Sequence, residues 1–134
     1  MKIALASDLH LGHQSQEQKK KLIKSFDVKA DLLILAGDIF DYGNIDTEFM
    51  RGLCSIYPKI FFVAGNHCFY GRDLKTFEDA LNKALFSEYG PKVVHFNGIE
   101  SYEYEGQKFV GCTLWFPEDP NSFRDERFMS DFHL

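Results

Sequence analysis

Three clusters of polar residues each follow an apolar run, and their residue types are those that bind metal ions. The clusters are Asp8-Leu9-His10, Gly37-Asp38-Ile39-Phe40-Asp41 and Gly65-Asn66-His67. Asp8 and Asp38 are 30 residues apart and Asp38 and Asn66 are 28 apart, about one β-strand plus one crossover helix. Three such units would bring Asp8, His10, Asp38, Asn66 and His67 together at the carboxyl ends of parallel strands, where open α/β sheets bind ligands. Two Asp, two His and one Asn at one point indicate a metal site.

The chemistry that this set could perform is hydrolysis of a phosphate ester. Asp8 and His10 are two positions apart, so in extended chain they would point to the same side and hold one ion together. The carboxylate of Asp38 could bridge two ions, and Asn66 offers an amide oxygen to the second. His67 suits the role of general acid, protonating the leaving oxygen. Two ions roughly 3.5–4 Å apart would hold a phosphate and lower the pKa of a bridging water for attack.

The elements that must position these residues are predicted from the apolar pattern. Continuous apolar runs indicate buried parallel strands at 2–6, 31–36 and 59–64. Helices are expected after the capping box Ser15-Gln16-Glu17-Gln18, over the helical spacing of 45–56, and over 73–89. Later strands are predicted at 93–96, 102–105 and 108–116, with a hairpin turn at Gly106-Gln107.

Composition restricts the class of protein. At 134 residues and 45% apolar content the chain is expected to form one domain with a real core. Its net charge of −5 argues against generic binding to duplex nucleic acid, which requires a basic surface. The three cysteines form no paired motif, so a reducing, cytoplasmic location is predicted. The apolar run before Asp8 is too short for a signal peptide, and no run is long enough for a membrane span.

In order and spacing, the three clusters resemble the first three motifs of the calcineurin-like metallophosphoesterase family. Thr113-Leu114-Trp115 is similar to the small bacterial members, and the resemblance covers essentially the whole chain. It implies an α/β fold, a metallophosphoesterase-like αββα sandwich, of which this chain would form the first sheet with its helices and the start of the second. It also implies that Asp8 and His10 bind a first metal, Asp38 bridges, Asn66 binds a second, and His67 is the leaving-group acid. The two divalent or trivalent ions would be manganese, iron or zinc.

The sequence departs from the family pattern after the third cluster. The later single His and the Gly-His-x-His motif are absent, and the later histidines are His95, expected to be a packed strand residue, and His133, the penultimate residue. Cys68 stands where the family commonly has Asp or Glu, and is interpreted as a small buried residue. Residues 1–134 are therefore expected to be a single calcineurin-like phosphoesterase domain that is truncated at its C-terminus.

Three functional hypotheses remain open from the sequence. The first is a metal-dependent hydrolase of phosphomonoesters or phosphodiesters, and the second is a catalytically inactive module used for binding or scaffolding. The third is a site completed by a partner chain or a second copy of this chain. If the second sheet is incomplete, apolar side chains should face water and cause self-association. The expected ones are Phe109, Leu114, Trp115, Phe116, Phe123, Phe128 and Phe132.

Overall fold

The computed structural model describes residues 1–98 and 100–113, which contain a four-stranded parallel sheet and a two-stranded antiparallel hairpin. The parallel strands lie in chain order: β1 (Ile3–Ala6), β2 (Leu32–Ala36), β3 (Ile60–Val63) and β4 (Val93–Phe96). The hairpin is formed by β5 (Tyr102–Tyr104) and β6 (Gln107–Phe109). The prediction that the first three strands are parallel neighbours is confirmed, with each end within one residue of the predicted one.

Each pair of neighbouring parallel strands is joined by at least one helix. The helices are α1 (Gln16–Ser25), α2 (Thr47–Ile56), α3 (Asn66–Phe69) and α4 (Leu74–Tyr89). The predicted capping box opens α1, where the Ser15 hydroxyl accepts the Gln18 N–H and the Gln18 side chain accepts the Ser15 N–H. Helices α2 and α4 begin with simpler caps, in which the carboxylates of Asp46 and Asp73 each accept a backbone N–H of the first helical turn. Side-chain caps satisfy backbone donors that a helix leaves without partners, so these local signals set where the helices begin.

One face of the parallel sheet packs against the helices and forms the main core. The fully buried side chains of α2 include Phe49 and Leu53, and those of α4 include Leu81 and Leu85. They meet alternate sheet residues such as Phe62. Strands covered on both faces are apolar along their whole length, which explains the unbroken apolar runs of β2 and β3.

The opposite face of the sheet is partly covered by the hairpin. Phe61 is its centre, and its ring lies 4.9 Å from Phe109, 5.0 Å from Phe96 and 5.4 Å from Tyr102, all close to perpendicular. Edge-to-face packing is the favoured geometry of aromatic pairs. The sheet is thus covered by helices on one side and by the start of a second β-layer on the other, which agrees with the predicted fold class.

The structure corrects two details of the sequence prediction. The hairpin turn is Glu105-Gly106 rather than Gly106-Gln107, because Gln107 already pairs with Tyr104; both turn residues have positive φ, 47° and 72°, as tight hairpins favour. Strand β6 ends at Phe109, so residues 110–113 are not strand, and the predicted continuation over 114–116 lies outside the described residues.

Phe109 is half-buried rather than exposed, because the hairpin packs it against Phe61. The exposed apolar side chains on this face are instead Ile3 and Leu5 of the edge strand β1, with exposed fractions of 49% and 70%. The other aromatic and aliphatic residues that were expected to face water lie outside the described residues. Within residues 1–98 and 100–113, no helix combines the length and apolarity needed to cross a membrane.

Candidate metal centre

The chain leaves β1 and β2 through left-handed backbone conformations at three of the predicted ligands. Asp8, His10 and Asp38 have φ values of 55°, 45° and 51°. This region is uncommon for residues other than glycine and costs roughly 1–3 kcal/mol each, although Asp and His tolerate it better than most. The prediction that Asp8 and His10 share one side of an extended chain is therefore wrong about the backbone. The two side chains come together because the chain turns sharply at both residues.

Backbone hydrogen bonds join the two loops that carry these residues. The N–H of Asp8 donates to the carbonyl of Gly37 at 3.0 Å, and the N–H of His10 donates to that of Asp38 at 2.9 Å. The unusual conformations are thus held by the neighbouring loop, as strain at a functional site requires.

The carboxylates of Asp8 and Asp38 and the imidazole of His10 form the first group of candidate ligands. Each offers a ligand atom, and the three atoms lie within 4.8 Å of one another. They sit at the carboxyl ends of β1 and β2, at one edge of the sheet. Two carboxylates and one imidazole are suitable donors for manganese, iron or zinc. The donor set therefore fits the metal chemistry that the sequence predicts.

Asn66 lies beside this group because the loop after β3 packs on Asp38. A Cβ atom at Gly65 would lie 2.0 Å from Asp38 Oδ1, so only glycine fits there. The N–H of His67 donates to the same Asp38 Oδ1 at 3.1 Å. Asn66 stands between these two contacts, and its Nδ2 donates to the hydroxyl of Tyr70 at 3.2 Å.

Asp41 is the central residue that the sequence analysis did not assign a role. It is only 3% exposed, and its Oδ1 lies 3.0 Å from His10 Nδ1 and 3.3 Å from His67 Nδ1. Its Oδ2 accepts the N–H of Gly12 at 3.0 Å. An ionised carboxylate can only accept hydrogen bonds, so His10 donates through Nδ1 and keeps Nε2 for a metal. His10, Asp41 and His67 also form a second group whose ligand atoms lie within 4.8 Å of one another.

The pKa values of His10 and Asp41 shift in the directions expected of a hydrogen-bonded ion pair. The hydrogen bond to Asp41 raises the pKa of His10, against the opposing effect of burial, and the nearby carboxylates of Asp38 and Asp8 add to it. Burial alone would raise the pKa of Asp41, but the hydrogen bonds from His10 and from the Gly12 N–H outweigh it and hold that pKa below its usual value. Asp41 is therefore an ionised anchor for the two histidines.

The ring of His67 is enclosed by two other rings. Its centroid lies 4.6 Å from that of His10 and 4.6 Å from that of Tyr70. Together with the contact to Asp41, these neighbours determine the direction of the imidazole. Its side chain is 31% exposed, so it is accessible from solvent and to a ligand.

His13 also lies beside Asp41, with Nε2 4.0 Å from Oδ1. It ends a short 3₁₀ turn, Leu11–His13, that starts directly after His10. The position of His13 three residues after His10 is the signal in the sequence that could have identified it. A spacing of three brings two side chains to one face of a helical turn.

The remaining residues discussed from the sequence lie outside both groups or outside the described residues. Cys68 is buried, its thiol donates to the carbonyl of Phe40 at 3.1 Å, and burial raises its pKa to about 11. It is thus a packed thiol, as predicted. His95 lies on β4 with its ring 5.7 Å from that of Phe62. His133 is not among the described residues.

His95 should make the stability of the protein depend on pH. Both ring nitrogens are buried, no hydrogen-bond partner for them lies within the described residues, and burial lowers the pKa of His95 from 6.5 to about 4. The unfolded state therefore binds a proton near pH 6.5 and the folded state only near pH 4. Stability from the neutral ring is fully present above pH 6.5 and is lost as pH falls toward 4, by up to about 3 kcal/mol.

The measurement is urea denaturation of the wild type and of His95→Phe between pH 7.5 and 4.5. The free energy of unfolding should fall more steeply with decreasing pH in the wild type than in the variant, in which this group no longer titrates. Parallel curves would mean that the pKa of His95 is the same in the folded and the unfolded protein.

Comparison with known proteins agrees with this geometry. The profile of the calcineurin-like phosphoesterases matches residues 1–131. An uncharacterised protein of Acanthamoeba polyphaga mimivirus is 32% identical over 141 residues, covering 96% of this chain and 49% of the relative. A phosphopantetheinyl hydrolase from Mycobacterium tuberculosis has a TM-score of 0.58 at 21% identity, covering 98% of this chain and 51% of that one.

A protein of unknown function from Aquifex aeolicus has a TM-score of 0.46 at 18% identity, covering 89% of this chain and 63% of that one. The chain spans about half the length of the mimivirus relative and of the mycobacterial hydrolase. At 21% identity, the likeness to the hydrolase shows a shared fold.

Proposed function

Because this chain belongs to the calcineurin-like phosphoesterase family, we propose that it hydrolyses a phosphomonoester or phosphodiester in a reaction that depends on two bound metal ions. The observation that carries the proposal is the group formed by Asp8, His10 and Asp38, whose ligand atoms lie within 4.8 Å of one another. Strained residues held together at the carboxyl edge of a parallel sheet are typical of a ligand site.

Four side chains would hold the ions. Asp8 and His10 would bind the first, Asp38 would bridge both, and Asn66 would bind the second through its amide oxygen. When bound, manganese, iron or zinc would neutralise charge on the phosphoryl group and lower the pKa of a water molecule. Asp41 orients His10 through the 3.0 Å hydrogen bond at Nδ1, which directs Nε2 to the metal side.

His67 would protonate the oxygen of the leaving group. Asp41 lies 3.3 Å from its Nδ1, which keeps that nitrogen protonated and makes Nε2 the nitrogen that delivers the proton.

The test is hydrolysis of bis-p-nitrophenyl phosphate and p-nitrophenyl phosphate by the purified protein. Activity should disappear after removal of metal with a chelator and return with Mn²⁺, Fe²⁺ or Zn²⁺. Hydrolysis that persists in the metal-free protein would contradict the proposal.

The alternative is an inactive binding module or a site completed by a second chain, and the behaviour of the purified protein distinguishes both from a phosphoesterase. An inactive module would bind metal and inorganic phosphate without turnover. A site completed by another chain would become active when that chain, or a second copy of this one, is added.

A further inference from the structure

Two tyrosines continue a row of neighbouring rings that begins at His67. The ring of Tyr70 lies 4.6 Å from that of His67, and the ring of Tyr42 lies 6.0 Å from that of Tyr70 at an angle of 66°. We call Tyr42 and Tyr70 the tyrosine wall. Tyr42 is its outer member and is 48% exposed. A large aromatic ring beside a candidate active site is thus left open to solvent.

Tyr42 is held in an unfavourable backbone conformation. Its φ is 53°, a left-handed value that is a genuine outlier for a bulky side chain. Such strain persists only where the surroundings enforce it, and it clusters at functional sites. Here the strain does not bury the ring in the core, so packing does not account for it.

Hydrogen bonds to both the backbone N–H and the backbone carbonyl of Tyr42 hold this conformation. The N–H of Tyr42 donates to the carbonyl of His67 at 2.8 Å. Its carbonyl accepts Nε of Arg72 at 3.2 Å and Nη2 at 3.0 Å. The loop of Tyr42 is therefore tied directly to the residue proposed to protonate the leaving group, and to the segment that follows α3.

The position of the tyrosine wall next to His67 suggests which part of the substrate it contacts, namely the leaving group. If His67 protonates the leaving oxygen, the leaving group must lie on the side of His67. The ring of Tyr70 is adjacent to that of His67, and the exposed ring of Tyr42 is next to that of Tyr70. Aromatic side chains bind planar rings by stacking, and such contacts change affinity by roughly 5- to 100-fold.

We propose that the tyrosine wall selects phosphate esters whose leaving group carries a planar aromatic ring over esters of saturated alcohols. The proposal deepens the proposed function and rests on it, since the role of His67 determines which side the leaving group occupies. Tyr42 is the specificity-determining residue, because its ring is the exposed one. Tyr70 supports it and also holds the Asn66 amide through the 3.2 Å hydrogen bond.

The test compares benzyl phosphate with cyclohexylmethyl phosphate. Both are esters of primary alcohols of similar size, so they differ mainly in whether the ring is planar and aromatic. The ratio of kcat/KM for the benzyl ester to that for the cyclohexylmethyl ester should exceed one in the wild type. It should fall by about 5-fold or more in Tyr42→Asn, in which Asn keeps the tolerance for positive φ but removes the ring.

Two variants are matched controls. Tyr42→Phe keeps the ring and should keep the ratio. Phe86→Asn removes an aromatic ring of α4 that is 64% exposed and should also leave the ratio unchanged. An unchanged ratio in Tyr42→Asn, or a wild-type ratio at or below one, would overturn the inference while leaving the phosphoesterase function intact.

Binding provides a second readout that does not require turnover. Benzylphosphonate and cyclohexylmethylphosphonate carry the same rings without a hydrolysable ester, and their Kd values can be measured by calorimetry in the presence of Mn²⁺. The benzyl compound should bind more tightly to the wild type, and this preference should be lost in Tyr42→Asn. Equal Kd values in the wild type would overturn the inference, whereas a preference without any turnover would count against the proposed function alone.

Discussion

Replacement of Asp38 by Asn is expected to lower phosphoesterase activity by about 10³-fold or more and to reduce the metal content of the purified protein. Asp38 would bridge both ions, so the loss of its negative charge weakens both sites together. Charge stabilisation by metal ions supplies several kcal/mol to such reactions, and about 4 kcal/mol corresponds to roughly 10³-fold in rate. The measurements are kcat/KM with bis-p-nitrophenyl phosphate and metal content by mass spectrometry.

The Asn variant is chosen because it should still fold. Asn keeps the oxygen that accepts the N–H of His67, and it tolerates the left-handed φ of 51° at this position. Asp79→Asn, which changes the same charge on the exposed side of α4, is the matched control and should keep full activity. If the Asp38→Asn protein keeps its metal content and its rate, Asp38 is not a metal ligand.

Replacement of His67 by Gln should lower the rate without changing the metal content, because the proposed role of His67 is proton donation. General acid catalysis contributes roughly 10²- to 10⁴-fold, and most where the leaving group is a poor one. The loss should therefore be large for an alkyl ester, whose leaving oxygen needs a proton, and small for the p-nitrophenyl ester, whose leaving group departs as an anion. The measurement is kcat for both esters in wild type and variant.

His13→Gln is the matched control, since His13 also lies beside Asp41 but is largely exposed. It should leave the difference between the two esters unchanged. A loss of metal in His67→Gln as large as in Asp38→Asn would mean that His67 is a ligand instead. An equal loss of rate for both esters would exclude proton donation to the leaving group.

The positions of the strands could be predicted from the sequence because that information is local, and the spacing of one crossover helix between strands predicts parallel neighbours. Apolar runs such as Leu32–Ala36 are unmistakable, and the capping box at Ser15 sets the start of α1. The boundaries of the hairpin were less well predicted. Gln107 was placed in the turn, although the positive φ values of Glu105 and Gly106 put the turn one residue earlier. Moving the turn by one residue hardly changes the apolar pattern of the flanking residues, so that pattern alone does not determine the turn.

The residue types of the site were predictable, but its geometry was not. Asp8, His10 and Asp38 come together as expected, yet through left-handed turns that no periodicity reveals. The role of Asp41 depends on contacts with His10 and His67, which are 31 and 26 positions away in the chain. Such long-range contacts exist only once the fold has formed. The exposure of Ile3 and Leu5 was missed for the same reason, since it depends on how far the hairpin extends over β1.

The most direct test of the metal site is the position of the ions in crystals grown with Mn²⁺, located by anomalous scattering. We expect a first peak about 2.0–2.3 Å from donor atoms of Asp8, His10 and Asp38. A second peak is expected at the same range from the other oxygen of Asp38 and the amide oxygen of Asn66. A peak enclosed instead by His10, Asp41 and His67, the other group of close ligand atoms, would contradict the ligand set and the role of His67 together.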